Sequence, residues 1–296
     1  MTGQTGETTS MNTRNIRFRS NRVRDILALF HAELDGLYDA SEVSAFGEML
    51  FEAFLGWNRV KLLSGKELTI DQSDLLRFHW ALEDLKRWRP IQHIIGYVDF
   101  YGCRIEVNPD VLIPRPETEE MVQWTVGQGF RRRVLDLCTG SGCIALALKR
   151  AFPAAELTAV DLSPRALDVA RRNGVRNGAE VDWRQADVLR WHSEGKWDLI
   201  VSNPPYVCES ERRGMRRNVL DYEPDGALFV PDGDALCFYR ALARIAHDGL
   251  AEGGLVVAEV NEAFADGVAG LMLEAGFLPR VHSDFRGKPR WVSAGV

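Results

Sequence analysis

An apolar strand that runs into a glycine-bearing turn and on into a small-residue helix constrains this chain most. It spans Arg133-Val134-Leu135-Asp136-Leu137-Cys138-Thr139-Gly140-Ser141-Gly142-Cys143-Ile144-Ala145-Leu146-Ala147. Glycines let a ligand approach the backbone, and the first N–H groups of the helix face it, so the arrangement suits a nucleotide. A dinucleotide fingerprint asks for G-x-G-x-x-G, whereas this turn reads D-x-C-x-G-x-G, and glycines alone are a weak signal. The strand pattern then recurs. Leu157 to Asp161 is a second strand that ends in an acid, placed to take both hydroxyls of a ribose. Pro164 to Asn173 reads as a helix of alternating charge, and Val181 to Asp187 as a third strand whose Asp187 can reach an adenine amino group. Trp197 to Val201 is the fourth. Strands and helices alternating at this spacing predict an α/β fold with a doubly wound parallel sheet, its ligand at the C-terminal strand ends.

The fourth strand leads into Ser202-Asn203-Pro204-Pro205-Tyr206-Val207. Two prolines fix φ twice and remove two backbone donors, leaving carbonyl oxygens without matching N–H groups. Asn203, preceding a proline, is pushed toward an extended conformation with its amide free to point outward. A rigid, acceptor-rich corner beside an aromatic ring suits a planar –NH2 group, whose two hydrogens need two oxygens. A plain proline turn ending a strand is the competing reading.

Before the sheet, the chain from about Ser20 to Trp88 is patterned for helices. Val23, Ile26, Leu27 and Phe30 recur at helical spacing, and Leu34 and Leu37 extend the stripe. A second helix from about Asp39 buries Val43, Phe46, Leu50, Phe51 and Phe54 and stops at Gly56. A third, opening between Thr69 and Asp74, carries Leu75, Leu76, Phe78, Leu82 and Leu85. Arg89 to Gly96 breaks the helical period, and Tyr97 to Val107 alternates as a hairpin does. Arg115, held between Pro114 and Pro116, is positioned rather than mobile, and Pro116 opens a helix through Trp124. Beyond the corner, Glu209 to Gly226 is polar and arginine-rich and reads as a flexible cover. Gly233 to Ala246 and Ala263 to Ala275 are helical, Gly254 to Val260 is a fifth strand, and Phe277 to Val281 with Arg290 to Val292 forms a closing hairpin.

Bulk properties exclude several function classes. At 296 residues, 46% hydrophobic and 26% charged, the chain suits two soluble domains. A net charge of −6 argues against a protein devoted to gripping phosphates. Through Pro90, 12 Lys and Arg stand against 13 Asp and Glu, so the helical part has no basic face. Five cysteines without a CxxC pair point to a reducing, cytoplasmic setting and to no metal site. No apolar run reaches membrane-span length, and no apolar signal core opens the chain. The division expected is a disordered tail over residues 1–19, a helical docking domain over 20–90, a hairpin and linker over 91–120, and a catalytic domain over 121–296.

With these residues in place, the chain from about Ser20 to its end resembles the S-adenosylmethionine-dependent methyltransferases. More narrowly, it resembles the peptide-chain release factor glutamine N5-methyltransferases. The resemblance rests on R-x-P-I-Q-H-I-I-G at Arg87 to Gly96, L-I-P-R-P-E-T-E at Leu112 to Glu119 and D-L-C-T-G-S-G at Asp136 to Gly142. S-N-P-P-Y at Ser202 to Tyr206 and D-F-R-G-K-P-R at Asp284 to Arg290 complete it. Cys138 stands where such families usually carry glycine, and Val188 where some relatives carry an aromatic. The resemblance implies a Rossmann-like class I methyltransferase sheet behind a small helical domain. It implies that S-adenosyl-L-methionine is held by Asp136, Leu137, Cys138, Thr139, Gly140, Asp161, Asp187, Val188 and Asn203. Asn203, Pro204, Pro205 and Tyr206 are the expected catalytic corner, and Phe100 and Arg115 join them in binding substrate.

The substrate so implied is the glutamine of a release factor's Gly-Gly-Gln loop, methylated on its side-chain nitrogen during the life of a cytoplasmic, monomeric enzyme of translation termination. Asn203 Oδ1 and the Pro204 carbonyl take the two amide hydrogens and turn the nitrogen lone pair toward the methyl group. Tyr206 and Phe100 offer ring faces to the amide or the sulfonium. An adenine-N6 nucleic-acid methyltransferase shares the Asn-Pro-Pro-Tyr corner, but it needs phosphate contacts and a flipped base. A cofactor-binding module without activity is a third reading, which the intact corner disfavours.

Overall fold

The computed structural model describes residue 18 and residues 20–296, so the tail expected over residues 1–19 lies outside the described residues except at Phe18. The chain divides into two compact units, Met1–Ile95 and Gly96–Val296.

In the first unit, α1 (Val23–Leu34), α2 (Ala40–Leu55), α3 (Arg59–Ser64), α4 (Gln72–Lys86) and α5 (Ile91–Ile95) surround an aromatic core. The helical stripes converge there, with the Phe51 and Phe78 rings 4.4 Å apart. Gly56 ends α2 at φ 66°, where its N–H donates to the Glu52 carbonyl and Trp57 N–H to that of Phe51. That closure needs a left-handed residue, which glycine adopts without a Cβ penalty. Leu37 does not extend the α1 stripe: it lies past the helix end and is exposed. Two short helices, α3 and α5, go beyond the sequence reading, since their few apolar residues are too short a run to show a period.

The second unit opens with a hairpin, β1 (Tyr97–Phe100) and β2 (Cys103–Glu106), so most of the segment expected as a linker belongs to it. The chain continues through α6 (Pro116–Gly127), β3 (Arg133–Leu137), α7 (Cys143–Ala151), β4 (Glu156–Asp161), α8 (Pro164–Arg176), β5 (Asp182–Gln185) and β6 (Trp197–Ser202). A short pair, β7 (Val207–Cys208) and β8 (Phe229–Val230), brackets α9 (Arg217–Leu220). Then follow α10 (Cys237–Gly249), β9 (Leu250–Glu259), α11 (Ala265–Glu274), β10 (Leu278–Ser283) and β11 (Pro289–Gly295). The segment expected as a cover, Glu209 to Gly226, is therefore a series of helical turns held between β7 and β8.

Seven strands form one sheet in the order β10-β11-β9-β6-β3-β4-β5. Six strands run in one direction, and β11, antiparallel to both β9 and β10, is the single reversed strand of the sheet. Alternation along the strands feeds two cores. Val134, Leu157, Leu199 and Val201 face α6, α7 and α8, while Leu135, Val160, Ile200 and Ala258 face α10 and α11. Covering both faces explains why these strands read as near-continuous apolar runs. In register, Leu137 of β3 pairs with Val160 of β4 and Ser202 of β6, so the loops that follow all leave one end of the sheet. No helix among the described residues is long and apolar enough to cross a membrane.

Candidate active site

The glycine turn is held open from both sides. Cys138, Gly140 and Gly142 sit at φ 60°, 55° and 81°. A Cβ on Gly142 would come within 2.8 Å of the Trp183 ring, so only glycine fits there. Cys138 adopts the left-handed conformation despite its side chain. Beneath the turn, Asp136 is fully buried, and its Oδ2 accepts hydrogen bonds from Thr139 Oγ1 at 2.6 Å and Ala145 N–H at 3.2 Å. Its Oδ1 is buried with no hydrogen-bond partner among the described residues. Burial pushes this carboxyl up to about 7, against the lowering effect of the two hydrogen bonds.

Asp161, at the end of β4, ties the turn to the next loop. Its Oδ2 accepts from Gly140 N–H and its Oδ1 from Ser163 N–H, both at 2.8 Å. Burial raises its pKa above the ordinary aspartate value, and these backbone donors oppose that rise. Asp187 accepts from Leu189 N–H at 3.0 Å.

These groups surround a cavity of about 400 Å³ at the C-terminal strand ends. Of the residues expected to form the site, Cys138, Thr139, Gly140, Asp161, Asp187, Val188, Asn203 and Pro205 line it. Asp136 and Leu137 are wholly buried below the turn and shape it from beneath. Pro204 is buried as well, outside the lining. A wider groove of about 1280 Å³ touches Arg133, Glu156, Asp182 and Trp197, the first residues of β3 to β6, and so lies at the opposite end of the sheet.

Three expected substrate contacts are placed differently. Phe100 is 2% exposed and packs into the core with Ile105 and Val107, because hairpin pairing opposite Cys103 turns it toward the helices. Its ring therefore faces no ligand in this cavity. Tyr206 lies outside the lining, and its half-buried side chain packs against the core that α10 and α11 share with the sheet. Its hydroxyl donates to Glu259 Oε1 at 3.0 Å, and burial, followed by the charge of that carboxylate, raises the phenol well above the ordinary tyrosine value. Arg115 also lies outside the lining. Its Nη2 donates to Glu223 Oε1 at 2.6 Å.

Several residues were overlooked in the sequence. Thr118 on α6 and Phe238 on α10 line the cavity. Asn203 Nδ2 donates to Thr118 Oγ1 at 3.2 Å, and Thr118 Oγ1 donates to Glu259 Oε2 at 2.6 Å. Glu259 offered a usable signal: like Asp161, it is an acid ending an apolar strand. Groups of His, Cys, Asp or Glu able to hold a metal ion are absent among the described residues.

A glycine turn, a second-strand acid and a proline corner meeting at one cavity define the class, a Rossmann-like class I methyltransferase. Residues 118–220 match the family model of the Methyltransferase small domain, and residues 25–96 that of the PrmC N-terminal domain. A release factor glutamine methyltransferase of Flavobacterium psychrophilum is 37% identical, over 81% of this chain and 87% of that protein. Its counterpart in Bacteroides thetaiotaomicron is 38% identical, over 91% and 98%. That of Deinococcus radiodurans is 36% identical, over 92% and 98%. The chain belongs to the release factor glutamine methyltransferase family.

Proposed function

We propose that this chain transfers a methyl group from S-adenosyl-L-methionine to the side-chain nitrogen of the glutamine in a release factor's Gly-Gly-Gln loop. The observation that carries the reading is the Asn203 amide, held by its nitrogen at the rim of the cavity in a chain of this family.

The residues present fit the cofactor. Each Asp161 oxygen holds one backbone N–H and keeps a lone pair, which suits a ribose diol. A Cβ on Gly140 would meet nothing within 4 Å, so the turn leaves open space above itself. Val188 and Leu189 supply apolar lining for an adenine, with Asp187 as acceptor for its amino group. When bound, the cofactor supplies a methyl group already activated on a sulfonium.

The chain's own work is alignment. Asn203 Oδ1 and the Pro204 carbonyl accept the two hydrogens of the glutamine amide, which turns the nitrogen lone pair toward the cofactor side. Those hydrogen bonds strengthen as positive charge builds on nitrogen, so they favour the transition state over the ground state. Pro205, lining the cavity, keeps water from the reacting nitrogen. Glycines beside the glutamine make a donor loop narrow enough to reach the strand ends. The helical unit carries exposed Val60, Leu63 and Trp80, apolar surface suited to a second region of the factor. Binding at two places aligns the tip by raising its effective concentration. In this reading the enzyme acts as a monomer in the cytoplasm, with no stable nucleic-acid partner.

Mass spectrometry of purified release factor incubated with enzyme and methyl-labelled cofactor tests the proposal. One added methyl on the loop glutamine is expected, with none on nucleic acid incubated in parallel. Label on adenine and none on the factor would overturn it.

A further inference from the structure

The hydrogen bonds behind Asn203 form a directed chain. Glu259, 2% exposed at the end of β9, meets hydroxyl groups on both carboxylate oxygens: Thr118 at Oε2 and Tyr206 at Oε1. Each carboxylate oxygen accepts from one hydroxyl, so both hydroxyl protons are committed to it; burial raises the Glu259 carboxyl above the ordinary glutamate value, and these two donors oppose that rise. With its proton spent, Thr118 Oγ1 is left with lone pairs alone toward Asn203. The planar amide must then present its –NH2 branch to Thr118, which turns Oδ1 away as an acceptor. Among the described residues, no hydrogen bond engages that Oδ1. A primary amide left to itself rotates between two nearly isosteric orientations, and only one of them can accept a substrate N–H.

We propose that Glu259 and Thr118 are positioning residues that fix the Asn203 side chain in its accepting orientation, while Glu259 also anchors the Tyr206 end of the corner. The inference rests on the function proposed above. Neither residue touches the substrate amide in this account; both act through Asn203. The Glu259 backbone carbonyl accepts from Tyr239 Oη at 2.9 Å, which ties the end of β9 to α10. The device thus joins α6, the β6 corner and β9, three elements that share no stretch of sequence.

The test is steady-state methylation of release factor by the full chain carrying Thr118→Val, Thr118→Ser, Glu259→Gln, and Thr118→Val with Glu259→Gln. Cofactor affinity is measured by calorimetry, and folding by thermal melting. Thr118→Val keeps the volume and removes the acceptor, so kcat should fall about tenfold, the worth of one hydrogen bond, with cofactor affinity within about twofold. Thr118→Ser should keep kcat within about twofold of wild type. Glu259→Gln keeps one acceptor oxygen and sets its –NH2 against the other hydroxyl, so either Thr118 or Tyr206 loses the acceptor that holds its part of the corner, and kcat should also fall. Because both substitutions act on the same amide, the double variant should lose less than the product of the two single losses. Wild-type kcat in Thr118→Val, equal losses in the serine and valine variants, or losses that multiply would each overturn the inference. Should the valine variant not fold, Glu259→Gln decides alone: unchanged kcat in a folded protein overturns the proposal. Wild-type enzyme that methylates no release factor at all would instead refute the underlying function.

Discussion

The Glu223 carboxylate, almost wholly buried, binds Arg115 Nη2 at 2.6 Å with one oxygen and Ile113 N–H at 2.9 Å with the other. One side chain thereby joins the segment between the corner and α10 to the strand-like approach to α6. Pro224, Gly226 and Ala227 line the cavity beside it, and Leu112 and Pro114 line it from the other partner. The Glu223 contacts tie this segment to the approach to α6.

Arg115→Ala should therefore loosen the cover. It leaves Glu223 a buried charge with a single backbone donor. Losing one partner of a buried pair costs about 3–5 kcal/mol, and since Arg115 is one-third exposed, about 2 kcal/mol is expected. Denaturant unfolding reads that loss, and limited proteolysis should cut faster between residues 209 and 231. A cover cut at the wild-type rate would show that the pair clasps nothing.

Asp161→Ala should weaken cofactor binding. It removes the proposed diol acceptor and leaves the Gly140 and Ser163 N–H groups without their partner. Hydrogen bonds to a charged group are worth about 1.5–3 kcal/mol, so the dissociation constant should rise about 10- to 100-fold. Calorimetry measures it directly, and an unchanged affinity would remove Asp161 from the site.

Asp136 makes stability depend on pH. Its carboxyl sits at about 7 in the fold, above its unfolded value, so the folded state holds the extra proton. Its contribution is fully present below the unfolded value and is lost as pH rises toward and through 7. Asp136→Asn abolishes that titration. Between pH 5 and pH 7 the variant should gain about 2 kcal/mol relative to wild type, at roughly 1.4 kcal/mol for each pH unit. Parallel denaturation curves at the two pH values check this, and a pH-independent difference would contradict the assignment.

Cys138 holds a left-handed conformation that costs a side-chain-bearing residue roughly 1–2 kcal/mol. Cys138→Gly removes that cost, offset in part by about 0.4–1 kcal/mol of extra unfolded-chain entropy, and should raise Tm by about 2–4 °C. Cys138→Val, branched at Cβ, should lower it by at least as much. Differential scanning calorimetry separates the two directions.

Local chemistry was enough to read the parts of the site whose residues are neighbours in the chain. The glycine turn, the acid ending β4 and the proline corner each carry their own backbone constraint, and strand–helix alternation brings strand ends to one edge. The same reasoning misplaced Phe100, because whether a hairpin residue points to ligand or to core depends on which of its faces the helices cover. It gave Tyr206 a ring to present, whereas the partner of its hydroxyl decided where the ring sits. Thr118 and Glu259 are 141 residues apart, and Arg115 and Glu223 108. A threonine hydroxyl, an isolated glutamate and an arginine between prolines have many possible partners while the chain is only a sequence. The sequence by itself determined the sheet, its turn and its corner, since these follow from φ restrictions and apolar period. Tertiary structure alone decided which way the Asn203 amide faces and what closes the cavity, because a buried polar group takes its orientation from the groups that packing brings within hydrogen-bond reach.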